Sequence, residues 1–360
     1  MYEQPKLTPI THLLRKGSDE AQNYWLNPPT YARRFSPSSL SVRTDDGSVY
    51  GECNRKLALQ NFGFYLTKKG LATSMKMQFG DHFEDMLASK YAQFIVIRQP
   101  RVQFMFGEDF KYEMSGFADV ILNIDNKHIG AEIKSTGEEG KAKLIDGYKH
   151  PPKEARTYLL EPMAPAPMIG HILQSSVYEF FYKYVRPYFT PFYGFIEPID
   201  EWRIFYGLRG SMKFAEYRLT IYEDEEGYHR PLIEKITDGG EDTFEVTPVL
   251  IKPFSVESIL ERCEDLGKAI ETHTIPERDY LPSYDGDDID FLRDSGKIND
   301  SRHKELVKAL NYGDQTGDWE CTVTCPFRDQ CMELPSTELS LEDVPENYFI
   351  RQPHIPALRR

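Results

Sequence analysis

No stretch of this chain approaches the roughly 18 consecutive apolar residues that a membrane-spanning helix needs. The opening residues Met1-Tyr2-Glu3-Gln4-Pro5 lack the basic-then-apolar pattern of a secretory leader, so the expected compartment is the cytoplasm. An excess of positive charge is missing as well: 43 Lys and Arg against 57 Asp and Glu leave a formal charge of −14. That balance argues against a generic nucleic-acid coat protein, whose affinity comes from net positive charge. It does not exclude an enzyme that handles DNA in a local basic groove. Cysteine is scarce, at five residues, and no Cys-x-x-Cys pair occurs. In a reducing compartment, the uneven set Cys53, Cys263, Cys321, Cys325 and Cys331 reads as metal ligation rather than disulfides. Internal repeats and long low-complexity segments are also missing.

Across the 360 residues, 40% are hydrophobic and 13% aromatic, ample for a packed core. The length suits one elaborated domain or two small ones. A helical stripe runs through Met75, Phe79, Phe83, Met86 and Tyr91, with His82 beside it and Glu84 and Asp85 just beyond. The run Gly116–Leu122 reads as a strand. A turn at Asp125-Asn126-Lys127 and a second strand, His128–Lys134, complete a hairpin. Residues 135–164 read as a loop carrying Lys141, Lys143, Lys149, Lys153 and Arg156. A helix is expected from Met168 to Tyr184, then strands at Phe192–Ile196, Trp202–Tyr206 and Glu216–Tyr222. Another helix is expected over about residues 255–272, with Cys263 on its apolar stripe as a core residue. Residues 276–318 read as an irregular, charged insertion.

The residues that carry chemistry gather on the hairpin. Period-2 geometry puts Glu132 and Lys134 on one face of their strand, and Asp119 on the preceding strand can stand beside them. Two carboxylates and a lysine suit phosphodiester hydrolysis. The acids hold a hard divalent cation that polarises phosphate and acidifies water, and the lysine positions or deprotonates that water. Taken alone, Glu-x-Lys also describes a solvated strand face. Here, though, apolar neighbours flank both charges, and buried charges need a partner. On the helix that follows, Gln174 and Tyr178 share one face with His171 and Tyr182. Cys321-x3-Cys325-x5-Cys331, with the distant Cys53, suits either a 4Fe–4S cluster or structural zinc.

The order Gly116-x-x-Asp119, Glu132-x-Lys134, Gln174-x-x-x-Tyr178 resembles the RecB-like branch of the PD-(D/E)XK nucleases. Gly80-x-His82 fills the place of that family's upstream histidine. The cysteines are similar to those of its iron–sulfur members, the CRISPR-adaptation nucleases and AddB-type subunits. Cys53-Asn54-Arg55-Lys56, Trp319-Glu320-Cys321 and Cys325-Pro326-Phe327 carry that likeness. One departure is the spacing between the second and third cysteines, three residues here where the family commonly has two.

The resemblance implies a restriction-endonuclease-like α/β fold with a central mixed sheet flanked by helices. Its N- and C-terminal helical parts would be joined by the cluster. It also implies that His82, Asp119, Glu132 and the Ile133 carbonyl ligate Mg or Mn. Lys134 would then be the catalytic lysine, supported by Gln174 and Tyr178, and Cys53, Cys321, Cys325 and Cys331 would bind the cluster. The domain expected on this basis spans residues 51–335, with insertions at 137–165, 207–250 and 280–318. A 1–50 extension and a 336–360 tail flank it.

The activity so implied is a DNA exonuclease preferring single strands, working in repair, recombination, CRISPR adaptation or viral replication. Arg55, Lys56 and the loop lysines would be its phosphate contacts. The alternatives are a non-cleaving DNA-end binding accessory subunit and a zinc-stabilised scaffold. The intact set Asp119, Glu132 and Lys134 favours the enzyme over the first of these.

Overall fold

Alternating apolar and polar positions between Arg33 and Val249 resolve into short strands, and one long hairpin among them bends in the middle. The computed structural model describes residues 33–64, 82–136, 165–186, 198–208, 213–240, 243–295, 298, 300–313, 316–318, 320–321 and 325–345. The chain divides into two units. The first is Met1–Gly51 with Leu71–Glu264, and the second is Glu52–Gly70 with Asp265–Arg360.

The strands of the first unit are β1 (Arg33–Phe35), β2 (Ser41–Arg43), β3 (Val49–Gly51), β4 (Ile95–Arg98), β5 (Arg101–Phe106) and β6 (Tyr112–Phe117). They continue with β7 (Val120–Ile124), β8 (Lys127–Thr136), β9 (Glu201–Leu208), β10 (Phe214–Glu223), β11 (His229–Gly240) and β12 (Thr243–Val249). Seven of them form a sheet in the order β12-β11-β10-β9-β8-β7-β4. It is mixed: β8 and β9 run parallel and the other neighbours antiparallel. A parallel pair needs a crossover, and the helix Ile169–Phe180 lies on that connection. The fold is therefore mixed α/β, a large central sheet flanked by helices.

The two faces of β8 and β9 are covered differently. Gly130 stands opposite Trp202, and a Cβ at Gly130 would lie 2.2 Å from the indole, so only glycine admits that ring. Tyr178 and Tyr182 of the helix pack against Trp202, with ring centroids 5.6 and 5.9 Å away. On the opposite face the helix at 82–90 closes in, with Phe83 filling the space that a Cβ at Gly207 would need.

The expected strand Gly116–Leu122 is two strands. β6 pairs with β5 in a separate three-stranded sheet of order β1-β6-β5, whereas β7 pairs with β4 and β8 in the central one. The two arms bend together where the Gln99 N–H donates to the Asp119 carbonyl (2.8 Å) and the Ala118 N–H to the Pro100 carbonyl (3.1 Å). Gln99 takes a left-handed φ of 48° there. Gly116 is pinned in the approach, since a Cβ would meet Pro37 at 2.8 Å. Asp119 thus sits on a corner rather than within a strand.

Beyond β9, residues 207–250 are largely sheet: β10, β11 and β12 form an antiparallel meander, and the acidic run 223–226 leads into its first turn. The predicted strand Phe192–Ile196, and the stripe positions Met75 and Phe79, lie outside the described residues. The helix Val256–Glu271 matches its predicted span to within a residue, with Cys263 buried.

In the second unit the helix Asn54–Asn61 packs with β13 (Thr274–Ile275), which pairs with β14 (Leu339–Ser340). Leu59, Phe64, Ile275, Phe327, Leu334 and Val344 form its core. The stretch read as irregular holds two helices, Gly286–Asp294 and Asp300–Asn311. A capping box between Asp285 and Asp288 starts the first, and Ile289, Ile298 and Leu306 give the pair a small core. So few apolar residues among so many charges hide the helical period.

Among the described residues, no helix is long and apolar enough to cross a membrane. Inside the first unit, Glu179 is buried against β10 and accepts a hydrogen bond from the Ile221 N–H (3.0 Å). Burial raises its carboxyl from an ordinary 4.5 to about 8, against the opposing pull of the Ile221 N–H and Lys183. The folded state therefore holds this proton more tightly than the unfolded state does, and stability falls as pH rises across that window. Glu179→Gln keeps an acceptor for Ile221 and removes the titration. Melting curves of variant and wild type are expected to converge near the acid end of the window and to separate above it, with the variant more stable. Parallel curves throughout would show that Glu179 does not titrate there.

Candidate functional site

The bend at Ala118-Asp119 and the strand β8 bring two acids and a lysine together. Val120 pairs with Ala131, so Asp119 comes opposite Glu132, and the Ile133 N–H donates to Asp119 Oδ2 at 2.6 Å. Glu132 has no solvent exposure. Lys134, two residues on and on the same face, bonds through Nζ to Glu132 Oε1, while Glu132 Oε2 is buried with no hydrogen-bond partner. Ile133 turns its side chain to the opposite face, beside Leu87 and Phe205.

These charges set one another. Burial and, after it, the Asp119 charge raise the Glu132 carboxyl to about 8 against the opposing pull of Lys134. Burial raises Asp119 as well, with Lys134 and the Ile133 N–H opposing. For Lys134 burial acts downward, but the charges of Glu132 and Asp119 outweigh it and hold the ammonium above its ordinary value.

Among the charges that act on Glu132 and Lys134 is Glu84. Its carboxyl is itself raised, by burial first and then by Asp119, and its Oε1 is buried without a hydrogen bond. Arg98, which directly precedes the bend, stands 3.6 Å from that oxygen. His82 is exposed at the start of the described helix. Asp85 is exposed too, and pairs with Arg98 at 2.8 Å. The family resemblance points to His82 as the ligand from this helix. Phe83, next to Glu84, packs over Gly207, a contact that left no mark in the sequence.

Gln174 and Tyr178 do not contact Lys134 through any described hydrogen bond. Gln174 Nε2 donates to the Tyr178 hydroxyl (3.1 Å), and that hydroxyl donates to the Phe117 carbonyl (2.8 Å). Phe117 lies two residues before Asp119, so this pair holds the bend that aims the acid.

In the second unit, the chain draws Cys53, Cys321, Cys325 and Cys331 into mutual electrostatic range. Burial raises the Cys53 thiol to about 12, with Asp279 and Cys331 adding to the effect. Cys321 and Cys325 are raised chiefly by burial as well. Cys263 is buried on its helix in the first unit. Arg55, expected as a phosphate contact, is wholly buried instead. Its Nη1 donates to the carbonyls of Pro276 (2.8 Å) and Thr337 (3.1 Å), and its Nη2 to that of Pro335 (2.6 Å). Lys56 pairs with Glu52 at 2.5 Å. The loop lysines lie outside the described residues.

Among the described residues, no group of three His, Cys, Asp or Glu side chains is arranged as it stands to hold a metal ion. The donor chemistry nevertheless fits one at both places. An orphaned, fully buried carboxylate oxygen suits a hard cation, and four apposed thiols suit a softer one.

No family model matches the chain, and no curated protein matches it. Among solved structures, one described as the crystal structure of SSO0001 aligns over 72% of this chain and 86% of its own, at 16% identity and a TM-score of 0.34. A likeness that slight carries no conclusion about this chain.

Tyr178→Phe leaves the Phe117 carbonyl and Gln174 without the hydroxyl they share. The expected loss is about 1–3 kcal/mol of unfolding free energy, read from urea denaturation. An unchanged midpoint would mean that the hydroxyl does not hold the bend.

Proposed function

We propose that this chain is a metal-dependent nuclease that hydrolyses phosphodiester bonds in DNA, and that Cys53, Cys321, Cys325 and Cys331 hold a 4Fe–4S cluster. One observation carries the first half: Glu132 is entirely buried beside Asp119 and Lys134, with one oxygen left unbonded. A fold keeps such a group only where a partner answers its charge.

Asp119, Glu132 and the Ile133 carbonyl would hold a Mg or Mn ion, and Glu84 stands ready to add its charge to theirs. Such an ion, when bound, polarises the phosphate and makes water a better nucleophile. The protein's own groups do the rest. The acids hold Lys134 as an ammonium, so its part is to donate a hydrogen bond and answer negative charge developing on phosphate, rather than to take a proton from water. Gln174 and Tyr178 keep the 117–119 corner in place, and with it the direction of Asp119. The family resemblance supplies the substrate, DNA, and the preference for ends and single strands. It also supplies the cluster as against zinc, a choice to which four thiols are indifferent.

The test is cleavage of end-labelled single- and double-stranded DNA with Mg or Mn, by protein purified without oxygen. Glu132→Ala and Lys134→Ala are each expected to lose about 100-fold or more of the rate. Glu84→Ala should lose more than His82→Ala. Equal activity in all the proteins would place the cleavage elsewhere and end this reading. DNA binding without cleavage by the wild type would move the accessory-subunit reading ahead.

For the cysteines, metal content decides. Cys53→Ser should lose iron and sulfide, while Cys263→Ser keeps the wild-type content. Zinc in place of iron would establish the scaffold reading of this site.

A further inference from the structure

Two arginines in the second unit commit their terminal nitrogens to main-chain carbonyls rather than to a carboxylate. Arg55 has no solvent exposure, and both of its terminal nitrogens are committed to carbonyls at Pro276, Pro335 and Thr337. Arg278 is half-buried and donates through Nη2 to the carbonyls of Cys331 and Leu334 (2.6 Å to the latter). Among the described residues, neither guanidinium forms an ion pair with a carboxylate. The Nε–H of each is buried with no acceptor. The two charges lie near enough to repel, and the Cys331 thiol is the group that acts most strongly in Arg55's favour. Two neighbouring cations, one buried and the other half-buried, are a costly arrangement unless an anion joins them. The cysteines that act on Arg55 are Cys331 and Cys53, neutral as thiols and anionic as the thiolates that hold a metal.

We propose that Arg55 and Arg278 are the positioning residues of the cysteine site, with Nε–H groups that donate to its sulfur atoms and charges that balance its thiolates. This rests on the reading that those cysteines hold a metal cluster. Their terminal nitrogens tie together residues 276, 331, 334, 335 and 337 by main-chain carbonyls, so each guanidinium is fixed before any cluster arrives. A donor held in that way needs no reordering to meet sulfur, and hydrogen bonds to sulfur are among the levers that set a cluster's potential and retention. The same geometry explains why Arg55, the first of the basic pair after Cys53, does not face solvent. Arg55 belongs to the cysteines, and Lys56 alone reaches out to Glu52.

The test uses full-length wild type, Arg55→Lys, Arg278→Lys and Arg278→Met, each reconstituted with ferrous iron and sulfide under anaerobic conditions. Metal-free samples of each are run beside them. The readouts are iron and sulfide per chain, release of iron to a chelator, midpoint potential, and melting temperature with and without metal. Iron release from the variants is expected to be about 10–100-fold easier. The potential should move lower where the charge is lost, in Arg278→Met. The gap in melting temperature between loaded and metal-free protein should shrink in all three variants. A purely structural role lowers both melting temperatures together and leaves that gap, and the potential, unchanged. That result in proteins that load iron normally would overturn the proposal while sparing the cluster. A wild type that takes up no iron overturns the cluster reading, and this inference with it.

Discussion

Glu132 has no access to water. One of its oxygens is bonded to Lys134 and the other to nothing. Much of the first unit can be understood as what keeps that carboxylate in place. Gly130, two residues before it, is bare so that Trp202 can lie against the sheet, and Trp202 seats Tyr178 and Tyr182. Tyr178 then reaches the Phe117 carbonyl and holds the corner from which Asp119 points back at Glu132. Each contact is ordinary. Together they hold two acids within reach of each other, an arrangement that mutual repulsion and lost hydration oppose.

The second unit repeats this logic with the sign reversed. There the charges without a carboxylate are two guanidiniums, and the thiols of Cys331 and Cys53 act on Arg55. In both units a rigid surround of main-chain hydrogen bonds fixes the charged groups in advance. Such preorganisation is what a bound ion or cluster rewards, because it arrives at donors that need no rearrangement.

How much of this was legible depended on the range of the interaction that decided it. Glu132, Ile133 and Lys134 follow from alternation along one strand, and Asp119 from a hairpin whose turn at 125–127 is plain. Those are local rules, and they served. The break between Phe117 and Val120 was invisible, because an apolar run of seven reads as one strand unless its two halves are known to pair in different sheets. The helices at 286–294 and 300–311 were missed for another reason. Their core is three residues with a few partly buried neighbours, too thin a stripe to stand out from the charges around it.

The sequence alone determined which chemistry was possible: an acid pair with a lysine, a polar and aromatic helix face, and a one-plus-three set of cysteines. These follow from residue type and from the fixed periods of strand and helix, which hold wherever the segment lies. The tertiary structure decided which members of those sets meet. Glu84 adds its charge to those acting on Glu132, while His82 is exposed at the start of the described helix. Arg55 turns inward because its carbonyl acceptors come from residues 276, 335 and 337. Helix rotation and the burial of a charge are settled by contacts between residues far apart in the chain, and no local period carries that information.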